Sequence, residues 1–232
     1  MAAHGRHVSP VGSVTAPIVI RRYTPADRAA IRMIACETAD RGAPVEQFFH
    51  DRELFADLLT RYYTDHDLRA LWVAEADGRV IGYVTGALAH RRYDRVMFGR
   101  VIPCAILNAL ARGLLGSRSV WRWAQAAWRT WRAGGFRSDA SLRRYPAHLH
   151  VNILEGFRGQ QVGRRLVERV IEQAREAGVS GVRAAVRADN PPSCAFFERM
   201  GFRPLSRHRV IFPLGSSYQA HETVVYGKRL NG

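Results

Sequence analysis

The feature that most constrains the fold is the passage from an apolar strand, through a short glycine-containing loop, into an amphipathic helix. Residues 148–154 have the pattern of a buried strand, Gly159 and Gly163 follow, and an apolar stripe with helical spacing continues to residue 177. Such a junction directs successive backbone N–H groups and the positive end of the helix dipole towards one point. Glycines let a ligand come close to the backbone. The pattern therefore predicts a phosphate site.

The elements around this junction predict a mixed α/β sheet. In the first half of the chain, Asp77-Gly78 separates two apolar runs, which is typical of a β-hairpin. In the second half, strands and helices alternate. The expected strands are 18–23, 71–75, 80–85, 148–154, 182–187, 209–212 and 223–226. The expected helices begin at Thr24-Pro25-Ala26-Asp27 or occupy 45–63, 163–177 and the residues after Asn190.

Composition indicates the cellular compartment and the domain organisation to be expected for the protein. Three cysteines in 232 residues, with no Cys-x-x-Cys spacing, predict a reducing cytoplasm and no structural metal. The most apolar run, residues 101–115, is too interrupted by polar residues and proline to span a bilayer. Residues 1–17 lack periodicity and are expected to form a flexible tail. A single domain is then expected to fill residues 18–230.

Residues 86–145 are expected to form a basic helical insertion before the fourth main strand. They contain 12 arginines and 2 aspartates, or +10 of the formal net charge of +15, and four tryptophans. Four interpretations are open: helices packed on the domain with solvated arginines, a lid over a substrate pocket, a helix on an anionic membrane, or a grip on nucleic acid. Among the functional ones we favour the lid. Its positive field would favour an acceptor that bears a carboxylate or phosphate.

Two motifs resemble those of the GCN5-related N-acetyltransferases (GNAT). Residues 158–163, Arg-Gly-Gln-Gln-Val-Gly, are similar to the family's Arg/Gln-x-x-Gly-x-Gly/Ala loop. Residues 190–202 are similar to its Asn-x-x-Ala-x-x-Leu/Phe-Tyr-Glu-x-x-Gly-Phe motif, and the hairpin at 72–84 precedes both in the family's order. Residues 145–150, Tyr-Pro-Ala-His-Leu-His, also resemble acetyltransferase-like domains related to bacterial β-N-acetylglucosaminidases. The resemblance implies a GNAT-like, mostly antiparallel sheet flanked by helices.

The resemblance also implies acetyl-CoA as co-substrate, no metal, and direct transfer of the acetyl group to an amine in a ternary complex. Two of the implied coenzyme contacts have another interpretation, because Arg164 can pair with Glu168 along a solvated helix face and Asn190 can cap a helix. The residues implied for coenzyme binding are Ile153, Leu154, Arg158, Gly159, Gln160, Gln161, Val162, Gly163, Arg164, Asn190 and Phe197.

The chain departs from the family's motifs at two positions. Gln161 stands where the loop signature has its first glycine, which restricts the backbone but leaves the N–H available. Phe197 stands where many relatives have a tyrosine that is thought to protonate the departing thiolate, and phenylalanine has no proton to donate. The second departure leaves open a catalytically weak or inactive acetyl-CoA-binding regulatory module as the alternative to an active enzyme.

Catalytic candidates lie on the strand that leads into the loop. Alternation places His148, His150 and Asn152 on one face of that strand. His150 is the candidate base for the acceptor amine, since an unperturbed histidine has a pKa near 6.5; a hydrogen-bonded bystander is the other interpretation. Glu155 is a second candidate base, and Asn152 shares the catalytic face. The acceptor is an unidentified small-molecule or peptide amine. A protein that acts mainly on nucleic acid or a membrane is a third, less favoured interpretation.

Overall fold

A seven-stranded sheet forms the centre of the computed structural model, which describes residues 17–135, 140–214 and 216–230. Its strands lie in the order β1-β2-β3-β4-β5-β7-β6, and every neighbouring pair is antiparallel except β4 and β5. The strands are β1 (Val19–Arg22), β2 (Ala70–Ala76), β3 (Arg79–Ala87), β4 (Ala147–Ile153), β5 (Gly181–Arg187), β6 (Arg203–Leu214) and β7 (Ser217–Arg229).

Helices cover both faces of this sheet. Short 3-10 turns occupy Pro25–Asp27, Val45–Gln47, Leu114–Gly116, Ala140–Arg143 and Glu155–Phe157, and π-helical turns occupy Tyr62–His66 and Met97–Val101. The α-helices are α1 (Arg28–Glu37), α2 (Arg52–Arg61), α3 (His90–Val96), α4 (Ile102–Ala111), α5 (Arg118–Arg132), α6 (Val162–Glu176) and α7 (Pro191–Arg199). The predicted tail, residues 1–17, lies outside the described residues except for Pro17.

The predicted hairpin between β2 and β3 is present. Asp77 and Gly78 both adopt positive φ angles, 50° and 71°, as a two-residue turn of this kind requires. The predicted start of α1 is also present, since the Thr24 backbone N–H and the Asp27 side chain form a capping contact of 2.8 Å. Asp27 is buried and hydrogen-bonded by the Arg21 guanidinium, which lowers the pKa of its carboxyl group. Local sequence chemistry therefore fixes this corner of the fold.

Three predicted boundaries were wrong. The single helix expected at 45–63 is interrupted, because the Asp51 side chain accepts a hydrogen bond from the Leu54 backbone N–H and begins a new helix there. The insertion begins after residue 87 and not at 86, because β3 continues through Gly86 and Ala87. The terminal strands, expected at 209–212 and 223–226, form a ribbon that is much longer at both ends.

Contacts from the insertion explain the length of this ribbon. Helix α5 packs against β6, and the Ile211 backbone N–H donates to the Thr130 hydroxyl at 2.9 Å. Trp123 on the same helix packs against Phe49, with ring centroids 5.8 Å apart. Helix α5 thereby covers one face of β6, which would otherwise be solvated. These contacts are long-range and leave no mark in the local sequence of the ribbon.

The sheet separates two apolar layers, and β4 contributes to both. Leu149 faces the layer built with α6, whose Leu166, Val167 and Val170 are fully buried. His148, the preceding residue, faces the opposite side and contacts Tyr63. The predicted alternation along β4 is thereby confirmed. Its consequence is that one face of β4 anchors the strand in the core while the other is available for polar side chains.

Candidate functional site

A wedge opens in the middle of the sheet between its two parallel strands. Strands β4 and β5 pair at Ala147–Val182 and His148–Arg183, and then separate. Beyond that point β4 continues for five residues and β5 for four. The backbone groups on the facing edges of the two strands are therefore left for a ligand, because backbone donors and acceptors in a structure require partners.

The loop after β4 brings the start of α6 to this opening. Gly159 adopts a φ of 79°, which suits glycine, and Gln161 adopts a left-handed φ of 60°. A non-glycine residue in that region costs about 1–2 kcal/mol. Gln161 therefore keeps the conformation that a glycine would have, and the first-turn N–H groups of α6 remain without intrahelical partners.

Gly163 sets how closely α6 approaches β4 and α7. A Cβ atom at this position would lie 3.1 Å from Ile153 Cδ1 and 3.5 Å from the Phe196 ring. The helix N-terminus is thus held between the end of β4 and the first turns of α7. This is the point towards which the helix dipole is directed, and the structure brings the predicted loop residues together there.

The two arginines nearest the loop contact protein groups. The Arg158 Nε donates to the Ile153 carbonyl at 3.1 Å, and its guanidinium lies against the backbone of Gly42. The Arg164 Nε donates to Glu168 at 2.8 Å, which is the alternative pairing along an exposed helix face. Arg158 therefore braces the end of β4, whereas Arg164 is a surface ion pair of the kind that contributes little to stability.

Asn190 and Phe197 lie on the other side of the wedge, in and beside α7. The Asn190 side chain accepts a hydrogen bond from the Ser193 backbone N–H at 3.3 Å, so it caps the helix. Phe197 is 5% exposed and packs against Phe202 and Tyr226. Phe196, which belongs to the motif but was not among the predicted coenzyme contacts, is the aromatic residue that faces the start of α6. Phe197 therefore offers little surface to a ligand.

Replacing Asn190 distinguishes its two interpretations. We expect Asn190→Ala to lower the free energy of unfolding by about 1 kcal/mol, because α7 loses its cap. Asn190→Ser keeps a capping oxygen and is the matched control. Urea denaturation measures the loss, and titration with acetyl-CoA shows whether the amide does more. Weaker coenzyme binding by the serine variant, with unchanged stability, would show a direct contact.

His150 and Asn152 share one face of β4, as predicted. Asn152 Nδ2 donates to the Thr38 hydroxyl at the end of α1. Solvent reaches the His150 side chain, and the protein atoms around it together with the charge of Arg183 lower its pKa below 6.5. A histidine with a lowered pKa is neutral at pH 7 and can accept a proton. Glu155 is exposed, on a 3-10 turn beyond the strand.

A buried tyrosine–histidine pair behind His150 was missed by sequence reasoning. The Tyr63 hydroxyl and His148 Nε2 lie 2.8 Å apart, and the Tyr93 ring packs edge-on against His148 with centroids 4.5 Å apart. Burial holds the pKa of His148 well below its usual value, so this ring is neutral. His148 lies 5.8 Å from His150, ring centroid to ring centroid. The pair fixes β4 beneath His150, and its members are 85 residues apart in the chain.

The loop that follows α1 crosses the wedge and contacts both of its strands, β4 and β5. At one end Thr38 accepts the Asn152 hydrogen bond, and two residues later Asp40 pairs with Arg187 at the end of β5. Beyond this loop, a cavity of about 130 Å³ is lined by residues that include Phe48, Phe212 and His221. Among the described residues, those lining this cavity come from the segment between α1 and α2, from β5 and from the β6–β7 ribbon, and none belongs to α3, α4 or α5. The predicted lid is therefore not supported at this cavity.

Two kinds of feature are absent from the described ranges. Residues 17–135, 140–214 and 216–230 contain no group of three or more His, Cys, Asp or Glu side chains arranged to hold a metal ion. Within the same ranges, no helix combines the length and apolar character needed to cross a bilayer.

The same fold occurs in solved structures of other proteins. SsHAT superposes with a TM-score of 0.66 at 21% identity, over 93% of this chain and 99% of that one. A ribosomal-protein-alanine N-acetyltransferase from Brucella melitensis gives 0.54 at 20% identity, over 91% and 99% of the two chains. A GNAT superfamily phosphinothricin acetyltransferase from Sinorhizobium meliloti, solved in complex with AcCoA, gives 0.54 at 15% identity, over 92% and 88%. At these identities the likeness shows the fold.

Sequence similarity supplies the family. The model of the acetyltransferase (GNAT) family matches residues 33–202, which include β4, the loop and both motifs. The chain therefore belongs to the acetyltransferase (GNAT) family, and the predicted fold class is confirmed. The closer resemblance to domains related to β-N-acetylglucosaminidases is not shown by these comparisons and stays a prediction.

Proposed function

We propose that this protein binds acetyl-CoA in the wedge between β4 and β5 and transfers its acetyl group to an amine. One observation carries the proposal: the strands separate at the same place where the N-terminus of α6 presents unpartnered N–H groups. A ligand with both a diphosphate and an extended, amide-containing arm fits these two features together. Family membership and the S. meliloti structure with bound AcCoA support this assignment.

The residues around the wedge divide into two groups under this proposal. Backbone N–H groups of residues 159–164 hold the diphosphate, helped by the helix dipole, and Gly163 lets the start of α6 lie close to Ile153 and Phe196 at the opening. The Ile153 backbone N–H, at the end of β4, faces the arm and the thioester, and Asn190 lies across the opening. The predicted backbone contact from Leu154 is not proposed again, because its N–H donates to the Ile81 carbonyl and its own carbonyl accepts from the Phe157 N–H, each at 3.0 Å. A backbone N–H near Ile153 would polarise the thioester carbonyl.

Direct transfer needs few side chains. The neutral acceptor amine attacks the thioester carbonyl, the C–S bond breaks, and the amine proton is removed while the thiolate departs. His150, neutral at pH 7 and accessible to solvent, is proposed to accept that proton directly or through water. Asn152 is proposed to orient the acceptor side of the site through its bond to Thr38. Because Phe197 has no donor, water protonates the thiolate.

The acceptor is proposed to enter beside the loop that crosses the wedge. The cavity there lies next to the Asn152–Thr38 contact and is lined by both aromatic and charged residues. Arg187 in its wall is already paired with Asp40 and Asp189. An anionic group on the acceptor therefore remains a prediction from the charge of the chain, and so does a cytoplasmic location.

Thermal stabilisation and coenzyme release test the proposal. At acetyl-CoA concentrations about 100-fold above Kd we expect the free energy of unfolding to rise by about 2.7 kcal/mol. ATP, which has phosphates but no pantetheine arm, is the control and should stabilise far less. Release of free thiol in the presence of a panel of amines measures turnover. Stabilisation without turnover on any amine would favour the regulatory module, and no stabilisation would remove the proposal.

A further inference from the structure

Helix α4 has an exposed apolar stripe. Ile106, Leu107 and Leu110 are 53%, 62% and 41% exposed, and with Pro103 they fall within an arc of about 100° at 3.6 residues per turn. The opposite side of the helix is buried through Ala105 and Ala109. No charged residue occurs between Arg100 and Arg112. A helix whose outer face is exposed to water normally carries polar residues at these positions, so the apolar stripe requires an explanation.

Exposed aromatic side chains occur on both sides of this helix along the chain. Phe98, in the π-helical turn before α4, is 71% exposed. Trp128 and Trp131 on α5 are 53% and 66% exposed, whereas the other side of α5 packs on β6. We call Phe98, Ile106, Leu107, Leu110, Trp128 and Trp131 together the α4–α5 surface; with Trp121 they are the large exposed apolar side chains of residues 88–135.

The charge around the α4–α5 surface is strongly positive. Residues 88–135 contain nine arginines and one acidic residue, Asp94. Arg95, Arg100 and Arg118 are exposed and form no ion pair within the described part of the chain. Arg132 lies over the Trp128 ring, 5.0 Å from its centroid. Arginines without an ion pair occur in the same segment as exposed apolar side chains, and this combination favours a partner that is both anionic and apolar.

We propose that the α4–α5 surface docks onto anionic lipid bilayers, with its apolar side chains at the headgroup–acyl boundary and its arginines at the lipid phosphates. Tryptophan and arginine are the residues that favour this boundary. A second copy of the chain is disfavoured as the partner, because two faces of this charge would repel. Nucleic acid would complement the positive charge, but its phosphates, sugars and bases offer no apolar surface to bury the aliphatic stripe of α4. In this mode of docking the α4–α5 surface lies in the plane of the interface.

Vesicle flotation of the full chain tests this docking. We expect at least about tenfold tighter binding to phosphatidylcholine vesicles with roughly one third phosphatidylglycerol than to pure phosphatidylcholine, and loss of most binding at about 0.5 M salt. Tryptophan fluorescence should shift to shorter wavelength on the anionic vesicles. Lipids brominated in the acyl chain should quench that emission, and Trp128→Phe/Trp131→Phe should lose most of the quenching.

Two sets of substitutions separate the apolar and the electrostatic contributions. Ile106→Ser/Leu107→Ser/Leu110→Ser should weaken binding to the anionic vesicles at least about tenfold. Its control is Leu59→Ser/Leu68→Ser, which changes exposed leucines outside the surface. Arg100→Gln/Arg118→Gln should weaken binding about tenfold, and Arg79→Gln/Arg175→Gln is the control at exposed positions elsewhere. Thiol release from acetyl-CoA should be unchanged in all four variants.

Three results would overturn the proposal. Equal affinity for neutral and anionic vesicles, or undiminished binding by the triple serine variant, would remove the lipid surface as the partner. Binding to duplex DNA that depends on Arg100 and Arg118, with no binding to vesicles, would assign the arginines to nucleic acid. A dimer in sedimentation equilibrium that the serine substitutions dissociate, again without vesicle binding, would assign the apolar stripe to a second copy.

Discussion

Gly163→Val is expected to abolish the response to acetyl-CoA and to lower kcat/KM by at least about 100-fold, or about 2.7 kcal/mol of transition-state stabilisation. The reason is geometric. A Cβ atom added at this position would lie 3.1 Å from Ile153 Cδ1, and the two further methyl groups of valine must displace either β4 or α7. Either shift moves the first-turn N–H groups of α6 away from the opening of the wedge.

The variant must be shown to fold before its inactivity is interpreted. Overpacking a close contact costs about 1–3 kcal/mol, which a folded domain can tolerate. Circular dichroism and urea denaturation without coenzyme measure that loss. Gly116→Val is the matched control, because a Cβ atom at Gly116 would lie more than 4 Å from every atom beyond its chain neighbours. If Gly163→Val retains the thermal shift produced by acetyl-CoA, the coenzyme does not lie at the start of α6.

His150→Ala is expected to lower kcat by about 100- to 1,000-fold at pH 7, within the range of general-base catalysis. The sign of the pH dependence follows from the lowered pKa of His150. Because the neutral ring is favoured, the wild-type base stays active as the pH falls through 6.5 and loses activity only below that value. In the variant the component of the acidic limb that is due to His150 should disappear. The remaining rise of the rate with pH should follow deprotonation of the acceptor amine alone.

Two further variants make the histidine experiment decisive. His150→Gln keeps the approximate size of the side chain without a titrating group, so it should share the loss of rate and of the acidic limb. His208→Ala removes a histidine from β6, at the far edge of the sheet, and should leave both unchanged. An unchanged acidic limb in His150→Gln would show that another group accepts the proton. The water-mediated route would still require His150, so it predicts the same losses.

The fold was largely predictable from sequence wherever the signal is local. The Asp77-Gly78 turn, the capping contact at Thr24 and the apolar stripe of α6 each depend on a few adjacent residues, and all three are present. The prediction of one helix at 45–63 was wrong because the apolar stripe continues across the break. The break is marked only by Asp51, which caps the start of α2 and which the sequence does not distinguish from a surface aspartate. The predicted length of the β6–β7 ribbon was wrong because the length depends on contacts with α5, some 80 residues earlier in the chain.

The candidate site shows the same division. The loop residues 158–163 converge as the motif predicts, because strand, loop and helix are continuous in the chain. The Tyr63–His148 pair and the Asp40–Arg187 ion pair join positions 85 and 147 residues apart, and no local pattern marks them. Exposure was likewise not predictable, since periodicity places Leu107 on a face of α4 without telling which face the domain covers.

The separation of β4 and β5 has a consequence for aggregation. Unpaired strand edges at the border of a sheet invite pairing with other chains. Here the unsatisfied edge is internal, closed on one side by the loop that joins Asn152 to Arg187 and on the other by α7. To pair with this edge, a foreign polypeptide would have to displace the Asn152–Thr38 hydrogen bond or the Asp40–Arg187 ion pair. The protein therefore keeps an unpaired backbone edge inside its sheet. An extended ligand can form hydrogen bonds with this edge, whereas other polypeptide chains are hindered from pairing with it and aggregating.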